Sequence, residues 1–496
     1  MLIKSILEVL QPNILVYTLL GVVVGAIIGA LPGLTATMGV ALLTPLTFWL
    51  GPVQGMAVLL GIYNSAIWAG GITAILVNVP GTPASIAQTF DGYKVAQRGQ
   101  AGLALGINTI YSVIGGLFST LVLILAAFPL ARFALKFGPP EYFALVMFGL
   151  SMMISVSGKE ITKGLIAGII GLMLATIGVD PMFGVPRFTF GNVNLLNGVS
   201  FIPIMVGMFG IGEVLTQIFD KTVANKLVTD IKEIKRIIPT FKEFKITALP
   251  SLMAAVVSVI IGAIPGVGGD VAGIVCWQLG KQMSKHPEEY GNGSIEGLAV
   301  TSLANNGVIG GAMTTMMTLG IPGDSVTAVL LGSLMMYGMQ PGPLLFKNNA
   351  NFVYHVMALM IVANLVILVL GLLTTRQSAL LITNVRQEIV WIIIILFSIL
   401  GSYAINNSLF DVVLMFMAGI LGFIFKEMGI PVGPFILALV LGPLAESNFR
   451  RSLVLSRGSY LIFVSSPISA ILLILTAMAL FSEPIKRLIR GNLELK

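Results

Sequence analysis

Four proline–glycine pairs interrupt the apolar runs of this chain, and this dipeptide has direct chemical consequences inside a membrane. Proline removes a backbone hydrogen bond and glycine permits a left-handed backbone, so together they end a helix. Unwound backbone is tolerated at membrane depth only where protein or water surrounds it. The helix N-termini created there attract anions, and the free carbonyl groups can coordinate a cation. The four pairs are Pro32-Gly33, Pro80-Gly81, Pro265-Gly266 and Pro322-Gly323.

Small, hydroxyl and amide side chains accompany these breaks, and we predict that they bind an anionic substrate together with the unwound backbone. A single proline–glycine pair is usually a kink, whereas four breaks in two matching pairs favour a functional site. The asparagines have an alternative role in hydrogen bonds between helices, and they enter the predicted site because they recur in register. The predicted substrate-binding residues are Gly33, Thr35, Asn64, Gly81, Thr82, Ser85, Gly266, Gly268, Asn305, Asn306, Gly323 and Ser325.

Two acidic residues, Asp270 and Asp324, closely follow breaks in the second half of the chain. A carboxylate at membrane depth is costly, so it is a functional hypothesis by default. We predict that both bind the coupling cation, either Na⁺ or H⁺. The alternative is that each caps a helix N-terminus or lies near a membrane face. Glu213 and Glu446 lie near the ends of later spans and are predicted to serve the interface or helix packing.

The breaks recur because the chain contains an internal repeat. "IGALPG" at residues 28–33 matches "IGAIPG" at residues 261–266 in five of six positions. "AGGITAILVNVPGT" at residues 69–82 resembles "GGAMTTMMTLGIPGD" at residues 310–324, and asparagines precede both segments. We call the interval from Gly33 to Gly266 the first repeat offset, and the slightly longer interval from Gly81 to Gly323 the second repeat offset. Matching features in the same order at similar offsets predict two structural repeats.

The elements that must position these residues are membrane-spanning helices. The chain is 56% hydrophobic and only 10% charged, far from the roughly 25% charged residues of soluble domains. Apolar stretches of about 20 residues, the length that crosses a bilayer as a helix, recur throughout. They do not alternate apolar with polar residues as barrel strands do. We therefore predict an all-α polytopic membrane protein with about ten to twelve hydrophobic helical elements.

A basic segment divides the chain near its middle. Residues 220–247 form the longest polar stretch, and their excess of lysine and arginine predicts a cytoplasmic linker. The first transmembrane repeat is then predicted at residues 1–219 and the second at residues 248–496. We favour an inverted arrangement, because alternating access needs two related conformations and inverted repeats supply them. The loop charges do not distinguish inverted from parallel repeats.

Several other classes of function are excluded or unsupported. The net charge of +7 over 496 residues does not indicate nucleic-acid binding. One cysteine, Cys276, excludes an internal disulfide and a multi-cysteine metal cluster. The sequence has neither a recognisable catalytic constellation nor a phosphate-binding Gly-x-x-x-x-Gly-Lys-[Ser/Thr] loop, so we predict neither an enzyme nor an ATPase, and no cofactor besides a possible Na⁺. The alternatives are a carboxylate or anion channel and a membrane subunit with a different small-molecule substrate. Only a transporter accumulates its substrate by coupling to an ion gradient, which distinguishes it from a channel.

Motifs from residue 20 to beyond residue 450 resemble the large membrane subunit of the tripartite tricarboxylate transporters, the TctA family. The resemblance rests on a combination of segments, which makes it specific. They include "GALPGLTATMGVALLTPLTF", "GIYNSAIWAGGITAILVNVPGTPASIAQTFDGYKVAQRGQAGLALG", "KFGPPEYFAL", "IPGVGGDVAG", "SKHPEEYGNGSIEGLA", "ANNGVIGGAMTTMMTLGIPGD" and "TAVLLGSLMMYGMQPGPLLF".

The resemblance implies a secondary transporter in the plasma membrane of a bacterium or an archaeon. It implies that a soluble periplasmic or extracellular binding protein, similar to TctC, delivers the substrate. It also implies a small membrane subunit similar to TctB, and uptake of a tricarboxylate or related organic acid driven by an ion gradient. Neither helper protein is part of this chain.

Overall fold

The structure is a computed structural model that describes residues 1–31, 33–156, 161–180, 182–219, 236–374, 377 and 387–493. Within these residues the chain is almost entirely helical, and nine helices are long and apolar enough to cross a membrane. Four shorter apolar helices accompany them: Ala36–Thr47, Ile161–Ala175, Ser325–Met336 and Pro467–Leu480. The predicted all-α polytopic membrane protein is confirmed.

The helices before residue 220 are α1 Leu2–Val9, α2 Pro12–Ala30, α3 Ala36–Thr47, α4 Pro52–Val77, α5 Ile86–Thr89, α6 Gly92–Val95, α7 Ala101–Ala134, α8 Pro139–Val156, α9 Ile161–Ala175, α10 Phe201–Val206 and α11 Gly212–Phe219. Short 3₁₀ turns occur at Pro83–Ser85 and Val193–Leu195, and π turns at Ala96–Gln100 and Gly207–Ile211. A two-residue antiparallel ladder joins β1 (Gly178–Val179) to β2 (Pro186–Arg187).

The helices after residue 235 are α12 Phe241–Ala263, α13 Gly268–Met283, α14 Ile295–Leu319, α15 Ser325–Met336, α16 Pro343–Asn348, α17 Ala350–Leu373, α18 Gln387–Asn406, α19 Leu409–Glu427, α20 Val432–Leu455, α21 Ile462–Ser465 and α22 Pro467–Leu493. The greater part of the predicted linker, residues 220–235, lies outside the described residues. The division of the chain into two sequential repeats therefore stays a prediction.

The chain forms two compact units. The first comprises Met1–Ala131 and Ile202–Phe423, and it contains all four predicted breaks. The second comprises Arg132–Phe201 and Ile424–Lys496. In this second unit α20 packs against α8 and α9, and α22 packs against α8.

Helices of the first unit end at the expected places. The α2 helix ends at Ala30, and Gly33 follows with φ +86°; α12 ends at Ala263, and Gly266 follows with φ +80°. The α4 and α14 helices end in left-handed residues, Asn78 and Gly320. A left-handed residue after the last helical turn is a common helix stop, and glycine adopts this conformation without a steric penalty.

The helix pairs of the two halves pack through equivalent contacts. On α2, Gly29 lies so close to α4 that a methyl group there would overlap the carbonyl oxygen of Ala66. On α12, a methyl group at Gly262 would overlap the carbonyl oxygen of Val308 on α14. The two glycines are related by the first repeat offset and their partners by the second. The contacts therefore support the sequence repeat and show why the close-packing positions carry glycine.

Candidate functional site

The four breaks are connected by packing between the two halves. The α3 helix, which follows the first break of the first half, contacts α15, which follows the second break of the second half. The α13 helix in turn contacts the turn Pro83–Ser85 and α5. The element after the first break of each half therefore packs against the element after the second break of the other half.

The second break of each half is seated against the first helix of that half. A methyl group at Gly81 would overlap the carbonyl oxygen of Gly29, and one at Gly323 would overlap that of Gly262. The backbone N–H of Gly266 donates to the carbonyl of Gly323 at 2.7 Å, which joins the two breaks of the second half directly. Only glycine allows so close an approach, so these positions shape the site by having no side chain.

The backbone after the second break is stabilised by the same network in both halves. The N–H of Thr82 donates to Ser85 Oγ at 3.2 Å, and that hydroxyl donates to the carbonyl of Thr82 at 2.7 Å. The N–H of Asp324 donates to Thr327 Oγ1 at 2.9 Å, and that hydroxyl donates to the carbonyl of Asp324 at 3.0 Å. Thr327 is one of the hydroxyl residues that follow the breaks but was not among the predicted site residues, although the second repeat offset relates it to Ser85.

Asp324 has two roles in this geometry. Its Oδ1 accepts the backbone N–H of Thr327 at 2.7 Å, so it caps α15 as the alternative interpretation proposed. Its Oδ2 accepts a hydrogen bond from the hydroxyl of Tyr63 on α4 at 2.5 Å. Tyr63 is completely buried. This bond crosses from one half of the chain to the other, and sequence reasoning did not predict it.

Asp270 lies in the first turn of α13 and is not the N-cap, which is Val267. A methyl group at Gly268 would lie 2.8 Å from Asp270 Oδ1 and 3.8 Å from Asp324 Cβ. The two predicted coupling residues therefore lie on either side of one glycine.

A buried amide oxygen completes this neighbourhood. Asn305 Oδ1 has no hydrogen-bond partner within the described part of the chain, and it would lie 3.6 Å from a methyl group at Gly269. A buried polar atom without a partner costs free energy, which indicates a place for a water molecule or a ligand.

The predicted asparagines form hydrogen bonds between helices. Asn306 Nδ2 donates to the carbonyl of Asn64 at 3.0 Å, and Asn305 Nδ2 donates to that of Ile67 at 3.3 Å, so α14 is tied to α4. Asn364 on α17 donates to Asn64 Oδ1 at 3.2 Å. All of the residues joined by these bonds are buried: Asn64, Ile67, Asn305, Asn306 and Asn364. This is the alternative role that the sequence left open, although Asn305 and Asn306 each keep an unpartnered amide oxygen among the described residues.

Exposure sorts the predicted site residues into two groups. Residues that keep exposed surface can be reached directly from outside, whereas buried residues act through the shape they impose or, like Asn305, through an unpartnered polar atom. Gly33, Thr35, Gly266, Asp270, Asp324 and Ser325 keep some exposed surface. Asn64, Gly81, Thr82, Ser85, Gly268, Asn305, Asn306 and Gly323 are buried.

The first break of the first half has neighbours that the sequence did not indicate. A methyl group at Gly33 would overlap the side-chain amide of Gln217 on α11 and lie 3.6 Å from a carboxylate oxygen of Glu213. Gln217 donates to Glu213 Oε1 at 3.0 Å and accepts from the indole of Trp391 at 2.8 Å. Glu213, Gln217 and Trp391 lie far from Gly33 in the sequence, so no local pattern predicted this contact.

A buried carboxylate also joins the halves where α13 contacts the segment after the second break of the first half. Asp91, only 1% exposed, accepts backbone N–H bonds at 2.8–3.0 Å from Gly291, Gly293 and Ser294, in the connection between α13 and α14. Its other oxygen accepts from the indole of Trp277 on α13 at 2.7 Å. We call this arrangement the Asp91 clasp.

At the equivalent positions α3 and α15 meet through hydroxyl groups. Thr44 Oγ1 and Ser333 Oγ are 3.1 Å apart. The first repeat offset relates Thr44 to Trp277, and the second relates Asp91 to Ser333. We call this contact the Thr44–Ser333 pair.

The described residues contain no group of three or more histidine, cysteine or acidic side chains that could hold a metal ion.

Comparisons with known proteins agree with this architecture. Residues 15–437 match the family model described as Tripartite tricarboxylate transporter TctA family. An uncharacterized 52.8 kDa protein in the TAR-I ttuC' 3' region of Agrobacterium vitis is 37% identical over 464 residues, which is 94% of this chain and 92% of that protein. An uncharacterized protein in the TAR-II ttuC' 3' region of the same organism is 34% identical over 214 residues, 43% of this chain and 88% of that protein.

No solved structure matches the chain. The family match covers most of the sequence and includes all four breaks, both acidic residues and the Asp91 clasp. The TctA family is a family of membrane transporters. The chain therefore belongs to the tripartite tricarboxylate transporter TctA family.

Proposed function

We propose that this protein is the large membrane subunit of a binding-protein-dependent secondary transporter that takes up an organic carboxylate. Family membership supports the tripartite organisation. A small TctB-like membrane subunit and a TctC-like soluble binding protein are the proposed partners. The proposed location is the plasma membrane of a bacterium or an archaeon. An Na⁺ or H⁺ gradient is the proposed driving force.

One observation carries the proposal of coupled transport: at equivalent positions the first half has uncharged side chains and the second half has acidic ones. The first half has Thr37 and Thr82 where the second half has Asp270 and Asp324, as the first and second repeat offsets relate them. A helix N-terminus carries partial positive charge. In the first half this charge is left for a carboxylate, whereas in the second half aspartates compensate it and can attract a cation.

The proposed substrate site lies at the start of α3. Its N-cap, Thr35, accepts the N–H of Met38 at 3.1 Å, and Gly33 beside it is exposed. The remaining N–H groups of the first turn have no partner in the helix and suit a carboxylate. Thr35 and Gly33 would therefore orient the anion while the buried glycines keep the unwound backbone close to it.

The proposed cation site comprises Asp270 and Asp324. Asp270 and Asp324 both keep some exposed surface. The amide oxygen of Asn305, near Gly269, is an additional oxygen ligand for a cation. Oxygen donors of this kind fit Na⁺, and the carboxylates alone fit H⁺. Binding of the cation near the anion would favour loading of both together, since each screens the other's charge.

Uptake by the reconstituted three-component system tests this function. Vesicles containing this chain, its small subunit and its binding protein are offered mono-, di- and tricarboxylates under separately imposed Na⁺ and H⁺ gradients. We expect accumulation of one class under one gradient. Asp270→Asn and Asp324→Asn should abolish the dependence on that ion, whereas Glu288→Gln, in an exposed loop, should preserve it.

Two results would contradict the proposal. Equilibration of the substrate without accumulation under any gradient would indicate a channel. Unchanged ion dependence in both single variants and in the double variant would remove the aspartates from coupling.

A further inference from the structure

The segment that follows α9 in the second unit exposes an unusual number of large apolar side chains. It forms the β1–β2 ladder and continues to residue 193, and we call its described residues, 178–180 and 182–193, the aromatic hairpin. Phe183 is 74% exposed, Phe188 60% and Phe190 91%. Val185 and Val193 are also exposed. Soluble surfaces rarely carry so many neighbouring apolar groups, so this face has a partner.

The backbone is held in a strained conformation that presents two of these rings. Phe188 has φ 52° and Phe190 has φ 49°, and both are in the left-handed region. For a residue with a bulky side chain this costs about 1–2 kcal/mol each. Thr189 between them is buried, so the chain turns one side chain inward and two rings outward. Strain that serves to expose apolar rings indicates that the rings contact something outside the chain.

The charged side chains of the hairpin are paired with charged side chains on α20. Arg187 makes two bonds to Glu446 on α20, at 2.5 and 3.2 Å, and Asp180 accepts from Arg450 at 2.6 Å. The backbone N–H of Met182 is the first cause that holds the pKa of Asp180 below its usual value, and the hydrogen bond to Glu446 raises the pKa of Arg187. Both groups therefore stay charged and paired at neutral pH.

The exposed phenylalanine and valine side chains of the hairpin carry no charge themselves, and the guanidinium of Arg450 lies 5.9 Å from the centroid of the Phe183 ring. Arg450 is itself paired with Asp180 and Glu446, so it leaves little unpaired charge for a charged protein partner to recognise. The amides of Asn192 and Asn194 are the exposed polar groups beside the rings.

The lipid-facing surface of α9 leads directly into the hairpin. Leu165, Ile166, Ile169 and Met173 are exposed along one face of α9. In a membrane protein an apolar helix face of this kind contacts the acyl chains. The α9 helix ends at Ala175 and β1 begins at Gly178, so only Thr176 and Ile177 separate the two apolar surfaces.

We propose that the aromatic hairpin inserts its rings into the boundary between headgroups and acyl chains of the bilayer. Aromatic side chains are enriched at this depth, and apolar surfaces next to polar amides suit it. The hairpin would thereby fix the depth of α9, while its ion pairs to α20 hold it to the second unit. This inference rests on the membrane location of the chain and is independent of the proposed substrate and coupling ion.

Site-directed spin labelling in lipid vesicles tests the insertion. Cys276→Ser removes the only cysteine, and Phe183→Cys or Phe190→Cys then carries the label. Glu288→Cys is the control, because Glu288 is exposed in a polar loop of the first unit. Collision rates are measured with oxygen, which concentrates in the bilayer, and with a water-soluble nickel chelate. If labelling at either ring disturbs folding, Val185→Cys and Val193→Cys report on the same face.

We expect the hairpin labels to collide more often with oxygen than with the chelate, and the label at position 288 to show the reverse. The purified chain is measured without partner proteins and at a low ratio of protein to lipid, so lipid is the main apolar surface available. Free access of the chelate to the hairpin labels would overturn the proposal. Protection that appears only after the soluble binding protein is added would also overturn it, because the hairpin would then dock protein rather than lipid.

Discussion

The Asp91 clasp and the Thr44–Ser333 pair occupy equivalent positions in the two halves but differ in chemistry. In the clasp a buried carboxylate accepts four N–H bonds. In the pair two hydroxyl groups share one bond, supplemented nearby by Tyr337, whose hydroxyl donates to the carbonyl of Thr47 at 2.7 Å. Hydrogen bonds to a charged group contribute roughly twice as much as neutral ones. The clasp and the pair therefore occupy equivalent positions but differ in the strength of their hydrogen bonds.

This difference bears on alternating access. If the two contacts open in turn during transport, the weaker one opens at lower cost, and the resting protein favours the conformation with the clasp closed. We call the contacts of Gly81 with Gly29 and of Gly323 with Gly262 the shared glycine contacts, and these should behave alike in both halves. The two kinds of contact can be tested separately.

The largest effect is expected at the shared glycines. Gly81→Ala and Gly323→Ala place a methyl group against backbone oxygen atoms, which cannot withdraw as a flexible side chain can. We expect a loss of about 3 kcal/mol or more of stability in both variants. Gly168→Ala is the control, since its added methyl group would meet ordinary contacts at 3.6 Å. The yield of monodisperse protein in detergent measures the effect, and tolerance of either variant would show that the halves are not equivalent there.

The next effect separates the two contacts. Asp91→Asn should lower stability by about 3 kcal/mol, because an amide cannot accept all four bonds without placing its own N–H groups against donors. Ser333→Ala, at the equivalent position, should cost about 1 kcal/mol. Thermal unfolding in detergent compares them. Similar losses would mean that the clasp is no stronger than the hydroxyl pair.

A smaller effect is expected from the bond between Tyr63 and Asp324. Tyr63→Phe removes a donor to the carboxylate, worth about 1.5–3 kcal/mol, and should change the ion concentration that half-saturates uptake by about tenfold or more. Tyr142→Phe also removes a tyrosine hydroxyl, but its acceptor is the neutral carbonyl of Ala134, in the second unit. It should leave the half-saturating concentration unchanged. A shift in both variants, or in neither, would disconnect Asp324 from cation binding.

The smallest effect is expected at Gly33. Gly33→Ala forces alanine to adopt φ +86°, a cost of about 1 kcal/mol. It also displaces the side chain of Gln217, so Gln217→Ala should recover part of the loss in the double variant. A double-mutant cycle on substrate affinity measures this coupling. Strict additivity would show that the two residues do not interact.

The sequence predicted the features that depend on local chemistry. The breaks follow from proline and glycine in apolar runs, and the recurrence of the breaks predicted two halves. The helix-capping alternative for Asp324 was also readable, because aspartate before a helix is a common N-cap. For Asp270 that alternative is wrong, since the helix already begins at Gly268.

Contacts between distant segments could not be predicted. No local pattern connects Tyr63 to Asp324, Gln217 to Gly33, or Asp91 to the connection after α13, because each depends on how helices pack. The asparagines show the converse limit. Their recurrence marked them as important, but hydrogen bonding between helices and ligand binding leave the same trace in one sequence.

The interval between the breaks differs in length between the two halves. It is shorter from Gly33 to Gly81 than from Gly266 to Gly323. The additional residues lengthen α13 to 16 residues, against 12 in α3, and extend the connection that follows it. A bilayer fixes the length of a spanning helix but not of a loop at its edge. The two halves can therefore differ in this connection, and the longer one supplies the backbone N–H groups that Asp91 binds.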